Sequence, residues 1–199
     1  MADSIDELPI FPLNTVLFPD GLLPLRVFEA RYMDMARKAL KEGSGFGVCR
    51  IAAGSEVGAP AQPESIGTIA TITDCDMEQL GVLLLKTRGS ERFRIVSQQA
   101  NSQGLIIARI QRLEADSDAP VPERYLPCVR ILQAIVTQQG EAVFHPPLAY
   151  DSARWVGHRL SEILPLPGKV KQHMLELDDS LLRLQTLLDF LQQHGLTIR

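Results

Sequence analysis

Few residues in this chain have the types and spacing that chemistry requires. Three charges, Arg26, Glu29 and Arg31, interrupt an otherwise apolar stretch. They read either as a substrate-contacting cluster or as a partly buried arginine–carboxylate pair that fixes a corner of the fold, and the second reading is favoured. Asp74 and Asp76 lie two apart, which on a strand puts both side chains on one face about 7 Å apart, a spacing that could hold a cation. Asp178 and Asp179 are more simply helix caps. None of the four histidines, His145, His158, His173 and His194, sits in a His-Glu-x-x-His pattern, and each is read as a surface or helix-terminal residue. His194 stands just before Gly195, where its cation would suit a helix C-terminus. Cys49, Cys75 and Cys128 form no Cys-x-x-Cys pair, so they are read as free buried thiols rather than zinc ligands. Gly43, Gly45 and Gly47 have a Gly-x-Gly-x-Gly spacing, but a strand-like run follows it and not a helix, so a plain turn is the better reading. There is no Gly-x-x-x-x-Gly-Lys-Ser/Thr loop to cradle phosphates and no Gly-x-Ser-x-Gly elbow.

The elements that must position these residues fall into two groups. Leu8–Leu13 and Leu22–Phe28 are short, apolar and interrupted by Pro9, Pro12 and Pro24, which suits strands at edges, ends or bulges. Between them Phe18-Pro19-Asp20-Gly21 is a turn, with Gly21 as the residue free to take positive φ. From Glu29 the period changes: Tyr32, Met33, Ala36, Ala39 and Leu40 form one stripe of a helix that Gly43 can end. Strands follow at Phe46–Ile51, Ile66–Asp76, Gly81–Thr87, Arg92–Ser97 and Leu105–Leu113, with Ala52–Ser65 as a loop and Arg88-Gly89-Ser90-Glu91 as a hairpin turn. Glu114–Pro122 is acidic and proline-ended, and reads as a linker. Beyond it every element is helical. Tyr125–Gln139, Ser152–Leu164 capped by Asp151, Lys169–Leu177, and Ser180–His194 capped by Asp178 or Asp179 make a helical bundle. Trp155 is expected to plug the seam between the two parts.

Composition narrows the function classes. The 199 residues are 45% hydrophobic and 22% charged, ordinary for a soluble globular protein, and large enough for one domain or two small ones. A net charge of −4 argues against a nucleic-acid partner; Arg88, Arg92, Arg94, Arg109 and Arg112 are the only basic cluster that could supply one. The start, MADSIDELP, has no apolar core of a secretory signal, and no apolar run nears the roughly 20 residues of a membrane span. A soluble, cytoplasmic protein is the expectation.

Several segments carry a resemblance to a known family: FPLNTVLFP at 11–19, LPLRVFEARY at 23–32, GFGVCRI at 45–51, GTIATITDCD at 67–76 and GVLLLKTRGSERFRIVS at 81–97. Together they resemble the N-terminal substrate-binding domain of Lon protease, in the form found as small stand-alone proteins. A weaker likeness continues through Trp155, Ile163-Leu164-Pro165-Leu166, Lys171-Gln172 and Leu182-Arg183-Leu184. The resemblance implies an α+β protein. A PUA-like twisted β-barrel subdomain with one helix, residues 1–115, would precede a C-terminal helical bundle, residues 122–199. It implies a non-catalytic module that recognises unfolded or peptide segments of other proteins, with no cofactor and no metal, and with a protease or chaperone as a further candidate partner. The Gly-Pro-Ser type nucleophile segment of Lon is absent from these residues. The expected route is an apolar groove or an unpaired strand edge that receives an extended segment. The peptide-binding residues stay unknown at this stage. The alternatives are an RNA-binding PUA-like module and an unrecognised hydrolase.

Overall fold

The computed structural model describes residues 5–79, 81–140 and 143–196, and divides the chain into two compact units, residues 1–114 and 115–199. The first unit contains seven strands in one sheet and one helix: β1 (Ile5–Leu13), β2 (Leu22–Val27), α1 (Ala30–Glu42), β3 (Phe46–Ala53), β4 (Gln62–Pro63), β5 (Ile66–Gln79), β6 (Val82–Ala100) and β7 (Ile106–Arg112). The sheet runs β1-β7-β6-β5-β3 and then returns to β1, so it closes into a ring; β4 adds to β3, and β2 adds to β6. This is the mixed α+β architecture expected, with a sheet-rich first part.

The prolines are accommodated by a change of partner. β1 pairs antiparallel with β7 over Ile5–Ile10, then parallel with β3 over Ile10–Leu13. Pro9 lies in the half facing β7 and Pro12 in the half facing β3. Each proline therefore sits where the strand has one ladder to satisfy and not two, and a missing N–H costs little. β1 is thus not the edge strand its prolines suggest.

Alternation along the strands makes two apolar layers. Phe11, Val48, Ala70 and Leu85 join Val27, Tyr32, Met33 and Ala36 in one cluster, where α1 packs; Ile10, Cys49, Ile69, Phe93 and Ile110 form the other. Leu40, assigned to the buried stripe of α1, is 45% exposed, while Met35 is buried. Gly43 ends the helix at φ 63°, as its position predicts.

The most informative departure is β6. Arg88–Glu91 is no hairpin turn; it lies inside a single 19-residue strand. Gly89 is there for closeness. Its N–H donates to Gly21 O and its own O accepts the Asp20 N–H, both at 2.9 Å, and a Cβ on Gly89 would stand 2.2 Å from Phe18 O. The 18–21 turn is thereby docked onto mid-strand, closed by Gly21 N–H to Phe18 O at 2.9 Å. The positive φ in that turn belongs to Asp20, at 62°, and not to Gly21; aspartate tolerates it better than most residues.

The second unit holds α2 (Leu126–Gln139), α3 (Ala153–Ile163), α4 (Gly168–Glu176) and α5 (Ser180–Gln193), after a 3-10 turn at Glu123–Tyr125. Their core includes Leu132, Val156, Leu160, Leu184, Leu187 and Leu191. Ser152, not Asp151, caps α3, its Oγ accepting from Trp155 N at 3.0 Å; Asp179, not Asp178, caps α5, accepting from Leu181 N and Leu182 N. Trp155 packs edge-on against Phe144 and Tyr150 in this core, centroids 5.9 and 5.4 Å away. The stretch read as a linker is fastened to this unit: Ser117 N–H donates to Asp178 O, Val121 N–H to Asp151 O, and Asp118 accepts from Ser152 Oγ.

Candidate peptide-binding site

β2 pairs with β6 on one side, Leu22 opposite Arg88 through Val27 opposite Leu83, and among the described residues no strand pairs with its other side. An unpaired edge is a template for a further extended chain. β2 is held firmly. Buried Thr87 donates from Oγ1 to Leu23 O at 2.8 Å, and buried Thr68 donates to Leu17 O at 2.6 Å, so both strand and preceding loop are tied to the sheet.

Two hollows flank β2 and share Pro24, Leu25 and Arg26. The first, about 210 Å³, is apolar at its base: Phe11, Leu13, Leu25, Val27 and Tyr32 line it, with Phe28, Glu29, Glu56 and Val57 at its walls. Phe11 and Tyr32 stack with centroids 4.1 Å apart, and burial raises the Tyr32 phenol pKa ahead of the opposing charge of Arg31. Phe28 is 55% exposed and Val57 58% exposed, large apolar side chains left in water beside a preformed hollow. The second hollow, about 380 Å³, is lined by Leu84, Leu85, Lys86, Asp74 and Asp76 besides the shared residues.

The corner that carries Phe28 is built by the charges first singled out. Arg31, 6% exposed, pairs with Glu29 at 2.8 Å, donates to Gly104 O at 3.0 Å, and lies 4.6 Å over the Tyr32 ring. Glu29 occupies the N-cap position of α1 in an extended conformation. The favoured reading holds for this pair: it locks the step from strand to helix and ties it to the β6–β7 turn. Arg26 is brought to the hollow walls, and is exposed.

The remaining sequence candidates are scattered. Asp74 is taken by Lys86 at 2.8 Å; that contact lowers the carboxyl pKa and raises the amine pKa. Asp76 accepts the Met77 N–H. Among the described residues no group of three or more His, Cys, Asp or Glu is placed to hold a metal. Cys49 and Cys128 are buried, with thiol pKa values pushed up by burial, the latter to about 12; Cys75, against expectation, is exposed. Gly45 and Gly47 are explained by close approach: a Cβ would stand 2.7 Å from Ile69 Cγ2 and 2.6 Å from Phe93 Cζ respectively.

His158 is the clearest correction. It is 3% exposed in the helical unit, with Nε2 3.4 Å from Asp116 Oδ2, and Asp116 pairs with fully buried Arg183 at 2.5 Å. Arg183 also donates from Nε to Met174 O at 2.9 Å. Burial lowers the His158 pKa to about 4, outweighing the contact with Asp116. For Asp116 burial acts upward, but His158 and Arg183 together hold its carboxyl well below the ordinary range. None of these three residues lines either hollow. His194 lies at the end of α5, its ring 4.1 Å from that of Phe190.

Of the five arginines in the basic cluster, Arg88 pairs with Asp20, Arg112 pairs with Asp6 and Glu91, and Arg92 is 2% exposed and donates to Glu114 O. Sequence reasoning missed Phe28, Glu56 and Val57 as site residues. The signal for Phe28 was present: it is a large aromatic at the step where strand alternation ends. Val57 lies in a glycine- and proline-rich loop, where nothing in the pattern fixes its neighbours.

An unpaired strand edge beside an apolar hollow is an arrangement able to receive a further extended chain. Residues 7–193 match the ATP-dependent protease La (LON) substrate-binding domain, and the chain belongs to that family. The crystal structure of a Lon N-terminal domain protein from Xanthomonas campestris is similar, at 36% identity and a TM-score of 0.78, covering 93% of this chain and 98% of that one. The N-terminal domain of Mycobacterium avium complex Lon protease, at 17% identity and a TM-score of 0.67 over 95% of this chain and 100% of that one, shares the fold. Protein cereblon of Xenopus tropicalis is 28% identical over 146 residues, which is 71% of this chain; the chain spans 30% of the length of that relative. No described helix is long and apolar enough to cross a membrane.

Proposed function

We propose that this protein is a non-catalytic receptor for unfolded or extended polypeptide segments, acting in the cytoplasm in protein quality control, with a protease or chaperone as a partner that takes over what it binds. The segment adds along the free edge of β2 and seats an apolar side chain in the hollow between Phe28 and Val57. The observation that carries this reading is the exposure of Phe28, 55%, on a rigid corner beside a hollow based on Phe11, Leu25 and Tyr32. Main-chain hydrogen bonds at a strand edge bind without regard to sequence, and the hollow adds a preference for apolar side chains. Membership of a substrate-binding family supports the reading.

The strand ring is read as a PUA-like barrel, the fold that also suggests an RNA-binding alternative. That alternative is not favoured, because Arg88, Arg92 and Arg112 are spent on internal partners and phosphate contacts need available cations. The test is binding of a fluorescently labelled, permanently unfolded polypeptide, followed by anisotropy. Phe28→Ser is expected to weaken binding about tenfold, the scale of losing a central aromatic contact, with no change in unfolding midpoint. Unchanged affinity would remove the site from β2, and cleavage of the probe by pure protein would refute the non-catalytic reading.

A further inference from the structure

The main-chain groups of β2 can be assigned to its two edges. On β6, Lys86 O accepts the Thr73 hydroxyl at 3.0 Å and Arg88 O accepts the Thr71 hydroxyl at 3.1 Å, so these carbonyls face β5. Gly89 bonds through both its N–H and its O to the 18–21 turn, on the opposite side. Alternate residues of a strand aim their N–H and C=O at opposite edges. Leu83, Leu85 and Thr87 therefore face β2, and register sets them against Val27, Leu25 and Leu23. The Thr87 hydroxyl, donating to Leu23 O at 2.8 Å, fits the same parity. Leu22, Pro24 and Arg26 consequently aim their main-chain groups at the edge where no described strand pairs. In the middle of that edge exposed Pro24 presents a carbonyl and no N–H. The ladder of β2 with β6 runs without a register shift. β5 differs: past Ala70 it too has no described partner on its β3 side, but its ladder with β6 shifts register between Ile72 and Asp74 and again between Met77 and Gln79. Bulges blunt that edge against stray pairing, and on β2 the proline is their counterpart.

Resting on the reading of β2 as a polypeptide-binding edge, we infer that Pro24 is the residue by which this edge tells a foreign segment from a second copy of the same chain. A foreign strand without proline loses one main-chain bond opposite Pro24. Two copies paired antiparallel, as a twofold dimer requires, lose two wherever Pro24 enters the ladder, because each brings its own missing donor. With Pro24 against Pro24 both losses fall in the central pair; with Pro24 against Leu22 or Arg26 they fall in separate pairs. The pyrrolidine ring also stands where a partner carbonyl would approach. The edge thus stays open to other polypeptides and closed to itself.

The test changes one outward donor at a time in the full chain. Pro24→Val adds one and Leu22→Pro removes one, and neither group faces β6. Sedimentation over a concentration series reads self-association, and anisotropy reads binding of a short labelled peptide with a Phe-Leu core. The unaltered protein is expected to sediment as a monomer and to bind the peptide. Pro24→Val should form dimers that excess peptide dissolves and, below the concentration of self-association, should bind the peptide about fivefold tighter, the worth of one main-chain bond. Leu22→Pro should stay monomeric and bind about fivefold weaker. Urea midpoints identify a variant that fails to fold, and Pro24→Ala restores the same donor if the valine variant does. Dimers of the unaltered protein, a folded Pro24 variant that stays monomeric or binds the peptide no tighter, or dimers that excess peptide leaves intact would overturn this inference, and weakened binding by Leu22→Pro would leave the binding edge standing. Peptide affinity unchanged by Leu22→Pro, or no binding at all, would overturn both.

Discussion

Asp116 carries a negative charge into the interior of the helical unit, and it does so against Arg183. Both are essentially inaccessible, at 4% and 0% exposure, with His158 beside them at 3%. A buried charge whose partner is removed is costly, on the order of 3–5 kcal/mol. Arg183→Met is therefore expected to lower stability by about that much, read from chemical denaturation. The same group sets a pH dependence. His158 has its folded pKa lowered to about 4, below the ordinary value near 6.5, so between those values the unfolded chain holds the extra proton. Stability should therefore be full above about pH 6.5 and fall as pH drops toward 4, by on the order of 3 kcal/mol. Below that, Asp116, whose folded pKa is depressed, adds a further loss as its unfolded form takes up a proton near pH 4. Denaturation midpoints measured across this range for the wild type and for His158→Gln check the assignment: the variant should lose most of the slope between pH 6.5 and 4. None of this was legible in sequence, because Asp116 sits in an acidic, proline-ended run with the composition of a linker, and only the fold brings it to His158. The Glu29–Arg31 pair was legible, since charge inside an apolar stretch at a change of period has few other uses.

At the scale of elements, local chemistry marked most boundaries and one feature was misread. Gly89 within Arg88–Glu91 has every mark of a turn, yet β6 runs straight through it. The glycine answers to the 18–21 turn lying against it, a long-range requirement that no local window contains. Gly89→Ala would put a methyl 2.2 Å from Phe18 O, and the forced shift should cost about 1–3 kcal/mol. A urea-unfolding midpoint unchanged by that substitution would contradict the docking. Capping offers a sharper contrast. Ser152, not its neighbour Asp151, accepts the Trp155 N–H, so Ser152→Ala should cost about 1 kcal/mol while Asp151→Ala is nearly silent. Sequence could narrow the cap to adjacent candidates but not choose between them, because the choice rests on backbone angles at one residue. The prolines of β1 were legible as a constraint, and the fold meets it by dividing the strand between two partners.

At the scale of the whole molecule, residues 1–114 and 115–199 form two compact units, and the period of the sequence changes from strand-like to helical between them. The position of the proposed binding surface was not plain, because it depends on an absence: β2 has no second neighbour among the described residues. Hydrophobic alternation in a strand does not report whether its far edge is paired. The two hollows beside β2 likewise draw Phe11, Phe28, Glu56 and Asp76 from distant parts of the sequence. The central claim is that an extended polypeptide docks on this edge and leaves unchanged. The most direct measurement is an amide-resolved NMR titration of the full chain with a short extended peptide that carries a Phe-Leu core, followed by mass analysis of that peptide. The account predicts saturable shifts concentrated at residues 22–29 and 56–57, and an intact peptide. Shifts confined to the helical unit, or a peptide recovered in pieces, would contradict it.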